Sequence, residues 1–258
     1  MNELLDGLDI LWPALLAGAL VVVSHVPLGQ QVLRRGIVFI DLAIAQVAAL
    51  GVIAASTLGF DLAGWSTQIA AVAAALAGAL LLTWTERRRA EVQEALIGIL
   101  FVLASTLQIL LLANDPHGGD QLKELLAGQI LWVSNEQLIR AGLLTAGFLA
   151  VWFTQRGRLG RFAFYVGFAV MVTMSVQLVG VYLVFTTLIV PAVATYRHGP
   201  ARQLWLGYAL GFVTYAVGLL VSLVTDLPSS ALIVWTMAVL AVGLHLTARA
   251  HPPLRHAE

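Results

Sequence analysis

Apolar runs of membrane-spanning length recur along this chain from Ile10 to Leu246, and no polar stretch between them is long enough to hold a separate soluble domain. A helix needs about 20 apolar residues to cross a hydrocarbon core of about 30 Å, and several segments meet that length. Charged residues make up 11% of the 258 positions, roughly half of the 25% usual in soluble domains. Lipid leaves no water for unpaired backbone groups, so the spans are expected to be helical. The reading is an all-α, polytopic membrane protein with one transmembrane domain over residues 1–258.

Charge placement sets the expected topology. Twelve of the fourteen Lys and Arg residues fall in five clusters: Arg34-Arg35; Arg87-Arg88-Arg89; Arg156, Arg158 and Arg161; Arg197 and Arg202; Arg249 and Arg255. These clusters should face the cytoplasm. Most acidic residues lie in the alternate loops. The helices between these loops are expected over 10–29, 37–58, 66–84, 95–113, 137–154, 204–224 and 229–247. The N-terminus is acidic and lacks the basic region of a signal peptide, so the first span reads as retained.

Phe162 to Ala194 is nearly unbroken apolar sequence with basic clusters at both ends. As one helix it would measure about 50 Å, too long for one crossing. An even number of crossings is required, so a short broken-helix hairpin is expected, its turn near Gln177 to Gly180 and both legs shorter than ordinary spans. The total is then about nine crossings, with the N-terminus outside and the C-terminus inside. Trp12, Trp65, Trp84, Trp152 and Trp205 fall near helix ends, where interfacial indoles sit. Gly207 with Gly211, and Ala70, Ala74 and Gly78, permit close helix packing.

The longest polar interruption, 114–137, lies outside. Leu122, Leu125, Leu126 and Ile130 recur there at helical spacing, so a short surface helix is expected, serving as a connector or as a docking face. Ser134 with Gln137 forms a capping box for the next helix. Asp115, His117 and Asp120 resemble a metal site, but Pro116 and Gly118-Gly119 make them a turn.

Asp41 is the only acidic residue placed well inside an expected span, and an intramembrane carboxylate points to a pathway or proton site. Its structural alternative is a partner for Arg34, Arg35 or a helix N-terminus. Gln46 on the same helix offers an amide oxygen or a hydrogen bond between helices. His25, beside Pro27 and at a similar depth to Asp41, can supply an imidazole for zinc, manganese or iron, or bond to a carbonyl freed by Pro27. Gln108, Gln177 and His245 read as packing residues, and His198, His251 and His256 as solvent or headgroup contacts. Lys123 is the only lysine and lies in no Gly-rich loop, so the chain carries no P-loop. No catalytic constellation is present, and zero net charge argues against nucleic acid as a partner.

Several segments together resemble one family, the membrane permeases of bacterial ABC importers for zinc, manganese or iron. They are Pro27-Leu28-Gly29 with Val32-Leu33-Arg34-Arg35; Leu96-Ile97-Gly98-Ile99; Leu126 to Leu131 with Val133-Ser134 and Glu136; and Val179-Gly180-Val181 through Leu188 to Thr195. Asp41 falls on the aspartate of the family's Gly-Asp-x-x-x-His motif. The motif's histidine falls on Ala45 or, with one inserted residue, on Gln46, and Gln129 replaces an aspartate. The loop 155–161 is shorter than the family's.

The resemblance implies a non-catalytic permease subunit in the bacterial inner membrane, surrounded by lipid. It would form a homodimer, bind a cytoplasmic ATPase subunit and receive metal from an extracytoplasmic binding protein. No cofactor would be permanently bound; the cargo is a divalent metal, zinc ahead of manganese and iron. Asp41, Gln46 and His25 are the pathway candidates. Pro191, Ala192, Ala194, Thr195 and Arg197 map to the stretch leading into the ATPase coupling segment. The rival readings are an ion-coupled secondary transporter using Asp41, a membrane enzyme acting on lipid, and a non-transporting scaffold.

Overall fold

The computed structural model describes residues 2–60, 64–113, 115–128, 130–155 and 160–247, without the side chains of 2–10, Arg161 and 245–247. Gln129, Arg156, Arg158, Arg249, Arg255, His251 and His256 lie outside the described residues, as do the side chains of Arg161 and His245. The described residues form ten α-helices and no strand: α1 (Asn2–Arg35), α2 (Ile40–Thr57), α3 (Trp65–Arg88), α4 (Gln93–Leu112), α5 (Gly118–Ala127), α6 (Asn135–Thr154), α7 (Arg161–Val179), α8 (Val181–Thr195), α9 (Pro200–Thr225) and α10 (Ser229–Thr247). Among the described residues seven stretches are long and apolar enough to span, α8 is a shorter apolar helix, and α10 is apolar over Ser229–Leu244.

α1 continues well past Pro27 to Arg35. Proline at 27 removes the donor that would serve the Val23 carbonyl. The Tyr208 hydroxyl of α9 donates to that carbonyl at 3.2 Å, so the helix proceeds without a buried unpaired acceptor. Gly36, at φ 69°, then ends α1 and begins the short turn into α2.

The long apolar run breaks at Gly180, which has φ 82° and caps both α7 and α8. The break falls where the sequence places it, but the two legs differ from expectation. α7 is 19 residues long, enough to cross a bilayer, and only α8, at 15, is short. They also part company in space. α8 packs mainly on α1, α9 and α10, and α7 on α3 and α2. The helices thereby fall into two groups, α1-α8-α9-α10 and α2-α3-α4-α7, with α6 bridging between α1 and α7.

Small residues allow the tightest contacts. Gly207 and Gly211 of α9 receive Val26 and Val22 of α1, and Gly51 of α2 receives Ala70 and Ala74 of α3. Gly29 of α1 lies against the Leu188 carbonyl of α8 with no room for a side chain. Trp12, Trp65, Trp84 and Trp205 are exposed as interfacial indoles should be, but Trp152 is only 7% exposed. It packs against Phe148, ring centroids 5.5 Å apart, because α6 turns this end toward the core.

Candidate functional site

At the end of the bundle that carries α5, a cavity of about 380 Å³ opens between the ends of α2 and α7, the starts of α3 and α6, and the connector. Glu124 and Gln121 come from α5, Glu136 and Gln137 from α6, Gln68 from α3 and Gln177 from α7. Its polar lining is oxygen and amide chemistry, with no imidazole or thioether side chain among the lining residues. Arg140 also lines it, bridging to Glu136 at 3.3 Å and lying 5.0 Å above the Trp65 ring.

The connector that roofs this cavity is built as its sequence dictates. α5 is the expected short surface helix, with Leu122, Leu125 and Leu126 half-buried and Glu124 exposed, but it stops at Ala127, so Ile130 lies beyond it, buried in a separate 3-10 turn. Asp115 accepts the His117 amide at 2.8 Å, which makes this stretch a turn, and no metal-holding group occurs among the described residues. Ser134 and Gln137 form the expected capping box at the start of α6. Gly128, at φ 71°, closes α5 and lies backbone to backbone against Val179 and Gly180.

Below the cavity, the faces of α2 can be assigned from its contacts. Ile44, Val47 and Gly51 meet α3, and Gln46 meets α4 through Gln108. The remaining face carries Val52, Ala48, Ala45 and Asp41, one above another at helical spacing, and turns toward α7 and α8. Val52 lines the cavity floor. Asp41 lies eleven residues further, about 16 Å along the axis, with only small side chains between.

Asp41 sits in the first turn of α2, one residue after its start, rather than deep in a span. It is nonetheless 1% exposed, and its carboxyl oxygens meet no side-chain partner, only the adjacent Leu42 amide without a well-formed hydrogen bond. The arginine pairing considered for it is not formed. Arg34 donates to Gln203 of α9 at 3.3 Å, and Arg35 lies 4.2 Å above the Phe164 ring of α7. Glu94 accepts the Phe39 amide at 3.2 Å, closing the same end from α4. These contacts form a layer between Asp41 and the basic side of the protein.

The other two pathway candidates are not brought to Asp41. Gln46 points about 140° around the helix from it, and its side-chain oxygen accepts from Gln108 at 2.8 Å. Gln46 therefore joins α2 to α4, and the free amide oxygen belongs to Gln108. His25 is fully buried on α1, which packs little on α2. Its Nδ1 lies 3.1 Å from the Val21 carbonyl and 2.9 Å from Ser24 Oγ, while Nε2 has no partner. The carbonyl it uses is Val21, not the one freed by Pro27, which Tyr208 takes.

At the opposite end, Pro191, Ala192, Ala194 and Thr195 are buried within the chain. Thr195 Oγ1 donates to the Pro191 carbonyl at 2.6 Å. Tyr196 and Arg197 are exposed on the turn that follows, Arg197 Nε donating to the Tyr196 hydroxyl at 3.1 Å. His198 turns inward, its Nδ1 3.2 Å from the Thr195 carbonyl, and is half-buried rather than a simple solvent contact.

Gln177, read from sequence as a packing residue, lines the cavity beneath α5, as do Gln68 and Glu124, which sequence reasoning did not single out. Their signal is positional. Gln68 and Gln137 open α3 and α6, and Gln177 closes α7, so all three stand at one membrane level once the topology is assigned.

A profile of the ABC 3 transport family matches residues 7–160 and 158–248. Among solved structures, the fold is similar to PsaBC from Streptococcus pneumoniae in complex with Fab, with TM-score 0.78, 22% identity, and 96% of each chain covered. It is also similar to a metal-chelate type ABC transporter in an inward-facing conformation, with TM-score 0.69, 17% identity, and 90% of this chain and 84% of that one covered.

Proposed function

The chain belongs to the ABC 3 transport family, and on that premise we propose that it is the permease subunit of an importer for divalent metal ions, zinc ahead of manganese and iron. The observation that carries the reading is Asp41, a carboxyl buried without a side-chain partner beneath an outward-opening, oxygen-lined cavity. Burying a carboxyl this way costs free energy, and a protein retains such a cost where the group has a ligand to meet.

In this reading a binding protein docks on the connector side and delivers metal into the outer cavity. Glu124 attracts the cation, and the carboxamide of Gln121 offers a weak oxygen contact that does not hold it. Separation of α2 from α7 and α8 opens the lane past Ala48 and Ala45 to Asp41. Ala45 shares the face of Asp41 and has no donor, so Asp41 contacts the cargo alone from α2 and holds it transiently. Selection of the metal then rests with the binding protein. Release to the cytoplasm requires the layer of Arg34–Gln203 and Arg35–Phe164 to part.

Energy comes from a separate ATPase subunit, engaged through the exposed turn at Tyr196, Arg197 and Arg202, with Pro191 to Thr195 as the buried stem that holds that turn. Two copies of the chain form the working permease in the bacterial inner membrane. The test is uptake of radiolabelled zinc, with manganese and iron as competitors, in cells carrying the chain or Asp41→Ala, with co-purification of a stoichiometric P-loop ATPase. Zinc uptake that needs Asp41 and a co-purifying ATPase supports the proposal. Transport indifferent to Asp41, or absence of the ATPase from a folded preparation, overturns it.

A further inference from the structure

α3 and α6 both pack on α7 but scarcely on each other. Between them runs a second cavity, a cleft of about 610 Å³ floored by α7. Its walls are Ile69, Val72 and Leu76 of α3 and Leu144 of α6, and its floor includes Val170 and Met174 of α7. The outer surface on both sides is equally apolar, with Ile69 66% and Leu143 71% exposed. The cleft is thus continuous with the face the bundle offers to hydrocarbon. A groove open to hydrocarbon fills with what the bilayer offers, and walls that are apolar but for Thr173 of α7 do not hold water in it. In a bilayer its natural filling is an acyl chain.

The rim is different. Gln68, Gln137, Arg140 and Gln177 ring the end of the cleft, beside Trp65, which is 65% exposed. These residues open α3 and α6 and close α7, so they stand at one bilayer surface, where an indole and a guanidinium meet headgroups. Arg140 and Glu136 sit one helical turn apart and present one cation and one anion 3.3 Å apart. That pair is complementary to a headgroup that itself carries both signs. Phosphate takes the Arg140 guanidinium with charge-assisted hydrogen bonds. A primary ammonium takes Glu136 and has donors to spare for the amide oxygens of Gln68 and Gln177. A quaternary ammonium has no donor for these groups, and an anionic headgroup leaves Glu136 facing like charge.

We propose that this cleft is a binding site for one phospholipid with a zwitterionic, primary-amine headgroup, of the phosphatidylethanolamine type. One acyl chain lies on α7 between α3 and α6. Because Gln68, Gln137, Arg140 and Gln177 line both cavities, the headgroup forms the side wall of the outer cavity and closes it against the bilayer. The site follows from the cleft and its rim and does not depend on which cargo the protein carries.

The experiment is native mass spectrometry of the purified, delipidated full chain after incubation in mixed micelles containing phosphatidylethanolamine, phosphatidylglycerol or phosphatidylcholine. One retained phosphatidylethanolamine per chain is expected, preferred about tenfold over phosphatidylglycerol. Arg140→Gln should reduce retention about tenfold, and Glu136→Gln should erase the preference between the two lipids. Ala73→Trp fills the cleft from an exposed position where no packing is disturbed, and should abolish retention in a normally folded chain. The chain has no cysteine, so Leu143→Cys reports cleanly on whether a second copy occupies the cleft instead. Absence of retained lipid, equal retention of the lipids, retention undiminished in Ala73→Trp, or efficient disulfide cross-linking between two Leu143→Cys chains in the bilayer would each overturn the proposal.

Discussion

Replacing Asp41 by Ala separates a transport role from a structural one, because a structural role predicts a clear loss of stability and a transport role predicts little change. Asp41 is 1% exposed and both carboxyl oxygens lack side-chain partners. An unsatisfied buried polar group costs about 1–3 kcal/mol, and more if charged. Two terms act the other way. A carboxylate in the first turn of α2 gains about 0.5–1 kcal/mol from the helix dipole, and truncation leaves a small cavity costing about 1 kcal/mol. The balance is close to zero, from about 1 kcal/mol against Ala to about 1.5 kcal/mol in its favour. Zinc uptake, in contrast, should fall at least tenfold. The assay pairs denaturant unfolding of the chain in mixed micelles with uptake in cells at matched expression. A loss of about 2 kcal/mol or more of stability would refute the reasoning, since it would mean that Asp41 anchors the structure. Unchanged uptake would refute the transport role.

Four further outcomes are expected. Tyr208→Phe should cost about 1–2 kcal/mol by orphaning the Val23 carbonyl, and almost nothing in a Pro27→Ala background, where the helix regains its own donor; an additive double-mutant cycle would show that the contact is incidental. Gly128→Ala or Gly180→Ala should lose about 3 kcal/mol or more, since each combines a positive φ with backbone contact; a normal yield of protease-resistant protein from either would contradict the packing. Glu124→Gln should raise the zinc concentration for half-maximal uptake about threefold without changing the maximal rate, an effect that shrinks at high salt; a change in maximal rate alone would place Glu124 outside the capture step. Arg197→Glu should lower stimulation of the partner ATPase about tenfold while leaving the folded fraction unchanged, because the side chain is exposed; unaltered stimulation would move the coupling contact away from this turn.

Much of the fold is legible because lipid makes the rules strict. Span length, basic clusters and a run too long for one crossing are enough to place the helices and to locate the break at Gly180. The Ser134–Gln137 cap and the glycine contacts of Gly207 and Gly211 follow from local chemistry and also appear as expected. What the sequence could not show is which helices meet. α1 and α2 are neighbours in the chain, which invites placing His25 beside Asp41, yet both helices pack on α7 and α8 instead of on each other. Gln46 is five residues from Asp41, close in sequence but on another face. Trp152 obeys the interfacial rule in one dimension and breaks it in three, since α6 turns it inward. The outer cavity was invisible for the same reason. Its glutamines are far apart in sequence and converge only when helix ends are set at one level.

The division of the bundle gives Asp41 its meaning. α8 is bound to the α1 group along its length, by Gly29 against the Leu188 carbonyl and by Thr187 Oγ1 at 2.9 Å from the Tyr215 hydroxyl of α9. α7 is bound to α2 and α3. The two groups are joined in the chain at two glycines of positive φ, Gly36 between α1 and α2 and Gly180 between α7 and α8. Backbone at such positions turns without a Cβ to obstruct it, whereas close-packed helices resist sliding within a group. Relative motion is therefore cheapest along the seam between the groups. The face of α2 that carries Asp41, Ala45, Ala48 and Val52 looks onto that seam. The seam begins at the outer cavity and ends at the arginine layer, and Gly180, held by Gly128 of the connector, stands at its outer end. A force applied at α5 reaches the backbone of that hinge directly, and α8 runs from it to the exposed turn at Tyr196 and Arg197. In the proposed mechanism the costly carboxyl is placed where opening of the seam would expose it, with a mechanical path to it from both ends of the bundle.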